Sequence, residues 1–146
     1  MTKKLIPIQA SDILSPSMID MVNKYVRPAF EKGHGETSME SLVSKMLTDK
    51  AVLWIAVDNN KIVGAATTEL LQYEGYMTVH LITIGSDNNI GFEDYHKFLE
   101  EYAEKVKARD IQFWGRLGWS RAINKVIGEK DRKYKEVYRV FSMEIK

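Results

Sequence analysis

Met77-Thr-Val-His-Leu-Ile-Thr-Ile-Gly-Ser-Asp-Asn-Asn-Ile-Gly91, running on into Phe92-Glu-Asp-Tyr-His-Lys-Phe-Leu-Glu-Glu-Tyr102, is the stretch on which the reading of this 146-residue chain turns. Residues 77–84 are dense in β-branched side chains, which predicts a buried strand. Gly85-Ser-Asp-Asn-Asn-Ile-Gly91 reads as a small, polar, Gly-bounded loop. Phe92, Tyr95, Phe98, Leu99, Tyr102 and Val106 recur at helical spacing, which predicts a helix over 92–109. A strand feeding a Gly/Asn loop and then a helix N-terminus is a ready anion site, because free backbone N–H groups and the positive end of the helix dipole converge there. The same pattern also describes an ordinary strand-to-helix turn, and the residues alone leave both readings open.

Upstream, residues 51–57 (AVLWIAV) form a continuous apolar run and predict a central strand. Asp58-Asn59-Asn60-Lys61 is a tight-turn signal. Residues 62–71 resume as a strand, with Gly64 where a backbone can approach closely. Glu74-Gly75 turns the chain into the strand over 76–84, so three antiparallel strands precede the helix. Residues 4–9 alternate weakly and predict a first strand, placed at an edge by Pro7. Ser15-Pro16-Ser17 starts a helix, with Met18, Ile19, Met21, Val22, Tyr25 and Val26 on one stripe, ending near Phe30. Gly33-His-Gly35 breaks the chain, and a second helix runs from Thr37-Ser38 to about Asp49 with Leu42, Met46 and Leu47 on one side. Downstream, residues 111–115 predict a short strand reached by a β-α-β crossover, expected to be right-handed. A short helix over 120–127 stops at Gly128, a charged loop covers 129–133, and residues 134–145 alternate as a last strand. The order is β-α-α-β-β-β-α-β-α-β, expected to form one domain over residues 1–146.

An apolar fraction of 45% and a charged fraction of 28% are those of a soluble globular protein. No apolar run is long enough to span a bilayer, and the N-terminus lacks the apolar core of a signal peptide, so the expected location is cytoplasmic, with no membrane partner. The absence of cysteine excludes disulfides, thiolate metal sites and a cysteine nucleophile. His34, His80 and His96 lack ligand spacing, so no metal is expected. Net charge is +1, unevenly spread: residues 51–103 hold two basic and eight acidic side chains, residues 104–135 ten basic and four acidic. That contrast fits a positive face for a phosphate-bearing ligand, a nucleic acid or an acidic partner, and equally a solvated surface. Nucleic acid is the weaker of these expectations.

The element order resembles that of the GNAT superfamily of acyl-CoA-dependent N-acyltransferases over essentially the whole chain. Residues 51–64, a strand, an Asp-Asn-Asn-Lys turn and a strand carrying Ile-Val-Gly-Ala, resemble the family's entry segment. Arg116-Leu-Gly-Trp-Ser-Arg-Ala resembles a G-R-x-G-W element near the end of small GNAT-like proteins of tailed phages. The resemblance implies an α/β (α+β) three-layer fold. Its central mixed, mostly antiparallel twisted sheet would have about six strands flanked by about four helices. It implies an acetyl-CoA-dependent N-acetyltransferase acting on a primary amine of a small molecule or peptide by direct transfer. The alternative is a non-catalytic GNAT-like binding or virion-associated protein, partnered by a second copy of itself or by a phage protein.

In that family the pantetheine arm of acetyl-CoA lies between two splayed strands, which places it here along Leu81, Ile82, Thr83 and Ile84. The pyrophosphate loop, Q/R-x-x-G-x-G/A, falls on residues 86–91. It matches at Gly91, with Ser86 in place of Gln/Arg and Asn89 in place of the first Gly. Asn tolerates left-handed dihedrals, so Ser86, Asn88, Asn89, Ile90 and Gly91 remain the implied phosphate cradle, while Asp87 adds a negative charge to it. The tyrosine that protonates the leaving thiolate corresponds to Asn124, which hydrogen-bonds but cannot serve as an acid; Tyr134 or a water would replace it. The attacking amine must be neutral, and His80 and Glu69 are the candidate bases on the strands. Each also reads as an ordinary strand residue. Trp54, Trp114 and Trp119 are expected in the core. Tyr73 and Tyr76 bracket a hairpin turn and would line a substrate mouth. Arg116, Arg121 and Lys125 would meet phosphates or solvent.

Overall fold

The computed structural model describes residues 3–30, 38–87, 92–113, 134, 135, 137 and 141–145 of the chain. The chain forms two compact units, Met1–Trp114 and Gly115–Lys146. In the first, β1 (Lys3–Ile8), β2 (Ala51–Asp58), β3 (Lys61–Gln72), β4 (Met77–Ser86) and β5 (Asp110–Gln112) make one sheet in the order β1-β2-β3-β4-β5. The first four strands pair antiparallel, and β5 joins β4 in parallel. β1 lies at the edge, as Pro7 requires.

Local chemistry fixes the connections. Asn59 and Asn60 both have positive φ, at 52° and 67°, between the paired Asp58 and Lys61. This is the left-handed two-residue turn that Asn tolerates and that matches the twist of a hairpin. Ser38 caps helix α3 (Met39–Leu47) by accepting the Ser41 amide at 3.1 Å.

The first helix departs from a plain periodic reading. It runs as α1 (Pro16–Met21), a π-helical turn (Val22–Val26) and α2 (Arg27–Phe30). Pro28 explains the widening. It has no N–H to give, and its ring crowds the carbonyl four residues back, at Lys24. The Arg27 amide bonds instead to the Val22 carbonyl.

Strand alternation separates two cores. Leu53 and Ile55 of β2 join Ala65, Val22, Tyr25, Val26, Leu42 and Met46, so α1 to α3 cover one face. Trp54 and Ala56 point the opposite way and pack with Ala66, Leu81, Tyr95 and Leu99, placing helix α4 (Phe92–Lys105) on the other. Trp54 is buried as expected, with its Nε1 donating to Thr68 Oγ1 at 2.9 Å and its ring edge-on to Tyr102 at 4.9 Å.

Two expected elements differ. The loop placed at 85–91 begins later, since β4 continues through Ser86 and the Asp87 amide still donates to the Val63 carbonyl at 2.8 Å. Gly85 lies within β4, and the position needs glycine because the Tyr25 carbonyl lies against it where a Cβ would stand. The strand expected over 134–145 is not formed by its described residues, and Val137, Phe141, Met143 and Ile145 are exposed. Alternation alone does not make a strand without a partner ladder to satisfy its amides. The sheet therefore counts five strands among the described residues. The expected break at 33–35, the helix over 120–127 and the loop at 129–133 lie outside them.

Candidate functional site

The β4 strand pairs with β3 along its length, and on its other side the described pairing covers only its first half. On the β5 side its pairing consists of Thr78 with Asp110, Val79 with Ile111, and His80 with Gln112. Thr78 Oγ1 reinforces this half by donating to the Asp110 carbonyl at 3.1 Å. From Leu81 to Ile84 no described residue forms a ladder pair with that edge, while β3 continues to pair on the other side. The opening coincides with a bulge: Thr67 faces Thr83 but Thr68 faces Leu81, so Ile82 is the extra residue. A bulge bends its strand and leaves the inserted residue out of the ladder. Leu81, Ile82, Thr83 and Ile84, the residues expected to receive a pantetheine arm, thus line a strand edge with no ladder partner among the described residues; the amides and carbonyls of such an edge can take an extended, amide-bearing ligand.

At the head of this edge the two candidate bases meet. Glu69 and His80 are register partners on β3 and β4, and His80 Nδ1 lies 3.0 Å from Glu69 Oε2. The other oxygen, Oε1, accepts from Lys45 Nζ of α3, also at 3.0 Å. The side chains of His80 and Glu69 are 7% and 13% exposed, and that of Lys45 is 39% exposed. Burial alone would push the Glu69 carboxyl up. The hydrogen bonds from His80 and Lys45, and the charges behind them, outweigh it and hold the group below its ordinary value of 4.5. In the tautomer that carries its proton on Nδ1, the imidazole donates to this carboxylate. Beside the dyad, the buried hydroxyls of Thr67 and Thr83 share a hydrogen bond of 2.6 Å.

The far end of the open edge is braced from both faces. Tyr95 of α4 donates to the Gly85 carbonyl at 2.8 Å, reaching it across Gly64, where a Cβ would collide with the Tyr95 hydroxyl. Asp87, whose charge is unfavourable beside a phosphate, has its Oδ1 engaged by the Tyr25 hydroxyl at 3.1 Å. Ser86 is exposed at the strand end. Asn88, Asn89, Ile90, Gly91 and Asn124 lie outside the described residues, as do Trp114, Arg116, Trp119, Arg121 and Lys125. Tyr134 belongs to the second unit. Tyr73 and Tyr76 flank their turn with ring centroids 5.1 Å apart, and Arg109 lies 3.2 Å over the Tyr76 ring. His96 stands on α4 near Glu100 at 3.7 Å, away from the dyad. A recess with room for about one water, about 10 Å³, between Lys3, Leu5, Tyr95 and Phe98 lies at the β1 edge and takes no part in this site.

Lys45 and Tyr25 are the residues that sequence reading missed. Both sit on helices whose apolar stripes account for their neighbours, and only the packed structure brings them to β3 and β4.

No protein-family profile matches the chain, and no curated protein matches it in sequence. Solved structures do. An aminoglycoside acetyltransferase from an uncultured soil metagenomic sample, in complex with trehalose, superposes with a TM-score of 0.65 at 14% identity, covering 97% of each chain. AAC(6')-Iy, in complex with a CoA-linked bisubstrate analogue of acetylneamine, gives a TM-score of 0.61 at 11% identity over 97% of this chain and 100% of that one. A ribosomal-protein-alanine N-acetyltransferase from Brucella melitensis biovar Abortus 2308 gives 0.59 at 10% identity over 96% and 100%. The chain has the GNAT fold. Within that fold, it resembles acetyltransferases of small-molecule and protein amines alike.

Proposed function

We propose that this protein is an acetyl-CoA-dependent N-acetyltransferase that transfers acetyl directly to a primary amine of a small molecule. The observation that carries this reading is the Glu69–His80 pair on β3 and β4, set where the described pairing of β4 with β5 ends. The backbone of Leu81 to Ile84 orients the amides of the pantetheine arm, and residues 86–91 receive the diphosphate. His80 Nε2 takes the proton from the amine as its nitrogen bonds to the thioester carbonyl carbon. The carbon–sulfur bond then breaks, and the thiolate departs to be protonated by a water. Glu69 holds the imidazole in the accepting tautomer and stabilises the imidazolium that forms. Aminoglycosides are the first acceptors to try, because two of the structural neighbours act on them. A cytoplasmic location accords with this chemistry.

The test is release of free CoA thiol from acetyl-CoA with a panel of aminoglycosides and simpler polyamines. Turnover with at least one acceptor, together with a raised melting temperature at millimolar acetyl-CoA, is expected. Neither turnover nor a thermal shift would overturn the reading in favour of a non-catalytic binding domain. Ser86 and Asp87, in place of the family's cationic or amide-rich loop start, are the residues that favour that second reading.

A further inference from the structure

We propose that Thr83 is a further catalytic residue: its side-chain hydroxyl, backed by Thr67, donates a hydrogen bond to the thioester carbonyl oxygen as that oxygen becomes an oxyanion. This rests on the transferase reading above. The bulge supplies the geometry. Residues 80 and 83 are an odd number apart and would face opposite ways on a regular strand. With Ile82 as the extra residue, His80 pairs with Glu69 and Thr83 with Thr67, and residues 67 and 69 share one face of β3. His80 and Thr83 are thereby turned to the same side of the sheet. Their spacing follows that of Thr67 and Glu69, about 7 Å for two strand residues. A hydrogen bond from amine to base, the bent N–C–O of a tetrahedral centre and a hydrogen bond from hydroxyl to oxyanion, each hydrogen bond about 2.8 Å long, span such a gap.

The proton count leaves Thr83 a hydrogen to give. A threonine hydroxyl carries one proton and two lone pairs, so a bond between two of them uses one of their two protons. Thr67 and Thr83 share such a bond at 2.6 Å, and no other hydrogen bond reaches either hydroxyl among the described residues. Thr67 is fully buried on a strand paired on both sides, and Thr83 is its one acceptor there. A buried donor takes a partner wherever one exists, so Thr67 gives its proton to Thr83. The Thr83 hydroxyl keeps its own proton, on the strand edge assigned to the pantetheine arm. Fixed by Thr67, it is oriented before any substrate arrives, which is the condition for a donor to stabilise developing charge. During transfer the amine nitrogen bonds to the acyl carbon, the carbonyl π pair moves onto oxygen, and the Thr83 O–H meets that charge. The oxyanion then re-forms the C=O bond and expels the thiolate. Thr83 retains its proton throughout.

A cross-strand threonine pair is also an ordinary stabiliser of sheets, and the experiment separates the two roles. It compares wild type, Thr83→Val, Thr83→Ser and the double variant Thr67→Val/Thr83→Val, all in the full chain. Thr83→Val is expected to lower kcat by about 100-fold, the scale of losing one oxyanion donor, with little change in the KM for acetyl-CoA. Thr83→Ser, which keeps the hydroxyl, restores kcat. Thr83→Val also strands the Thr67 hydroxyl, whereas the double variant removes both partners and should return the melting temperature to that of wild type or above. Its kcat should stay as low as that of Thr83→Val. Recovery of kcat together with stability, or an unchanged kcat in Thr83→Val, overturns the inference and leaves the transferase reading intact. The carbonyl stretch of bound acetyl-CoA, labelled with 13C at the acyl carbon, reads the same hydrogen bond without turnover. It should lie at lower wavenumber in wild type than in the double variant, and identical bands overturn the inference. If wild type binds acetyl-CoA and shows that difference yet acetylates no amine, the hydrogen bond stands and only the transfer reading fails. If wild type does not bind acetyl-CoA, both fall.

Discussion

The two faces of the β3–β4 pair are made from the same strands and built from different chemistries. The face under α4 is apolar: Ala66, Leu81, Tyr95 and Leu99 close around Trp54, and its buried Thr68 hydroxyl is taken up by the indole. The face under α1 to α3 carries Thr67, Glu69, His80 and Thr83, with Lys45 reaching down from above. Buried ionic groups are poor stabilisers, because desolvation offsets most of their attraction. A domain of this size gains nothing in stability from such a cluster that apolar side chains would not supply. The α4 face holds the sheet together, and the other face carries the polar cluster that the proposed transfer would use.

That contrast can be broken most forcefully on the apolar side. Trp54→Ala removes a 5%-exposed ring, its Tyr102 contact and its hydrogen bond, leaving Thr68 unpartnered. A loss of about 3–5 kcal/mol is expected in urea unfolding. A loss below about 1 kcal/mol would mean that the α4 face is not the stabilising one. His80→Gln, on the polar face, should invert the pattern. A fall of about 100-fold or more in kcat is expected, with an unfolding midpoint close to wild type. Equal damage to folding would make His80 a structural residue. A combined Lys45→Met, Glu69→Leu, His80→Leu replacement sharpens the point further. The whole ionic cluster is removed at once, so no charge is left uncompensated. Stability should be unchanged or raised by about 1–4 kcal/mol while transfer is abolished, and a large destabilisation would show that the cluster supports the fold.

Much of the scaffold was legible because it follows from local rules. The β-branched run at 77–84, the Asn59-Asn60 turn and the Ser38 cap each carry their structure in a few adjacent residues, and each formed. Glu69 and His80 were recognised one at a time; their meeting depends on a register set by the Glu74-Gly75 turn and needed no further information. What escaped was non-local. The bulge at Ile82 shifts β4 against β3 without any glycine or proline to announce it. The π-helical turn depends on Pro28 acting on a residue one turn back. Lys45 is one lysine on an amphipathic helix, and only the docking angle of α3 sets it on Glu69. The described residues of the last expected strand, 134–145, lie in no ladder for the converse reason, since a period of two records a disposition to pair and not the presence of a partner.

The smallest expected effect separates the two faces by acidity alone. The Glu69 carboxyl titrates below its ordinary value of 4.5 in the folded protein, since the His80 and Lys45 donors outweigh the opposing effect of burial. In the unfolded chain those donors are gone and the ordinary value returns. The folded state therefore binds fewer protons in the window between the two values, and the stabilising contribution of Glu69 is complete above pH 4.5 and lost as pH falls through the lower, folded value. Thermal unfolding of the wild type from pH 6 to pH 3 should fall more steeply than that of Glu69→Gln, which has no proton to take up at this position. The curves should converge toward the acid end, where wild-type Glu69 is itself neutral. Parallel curves would mean that the carboxylate is solvated rather than held by His80 and Lys45, and the electrostatic distinction between the faces would vanish with it.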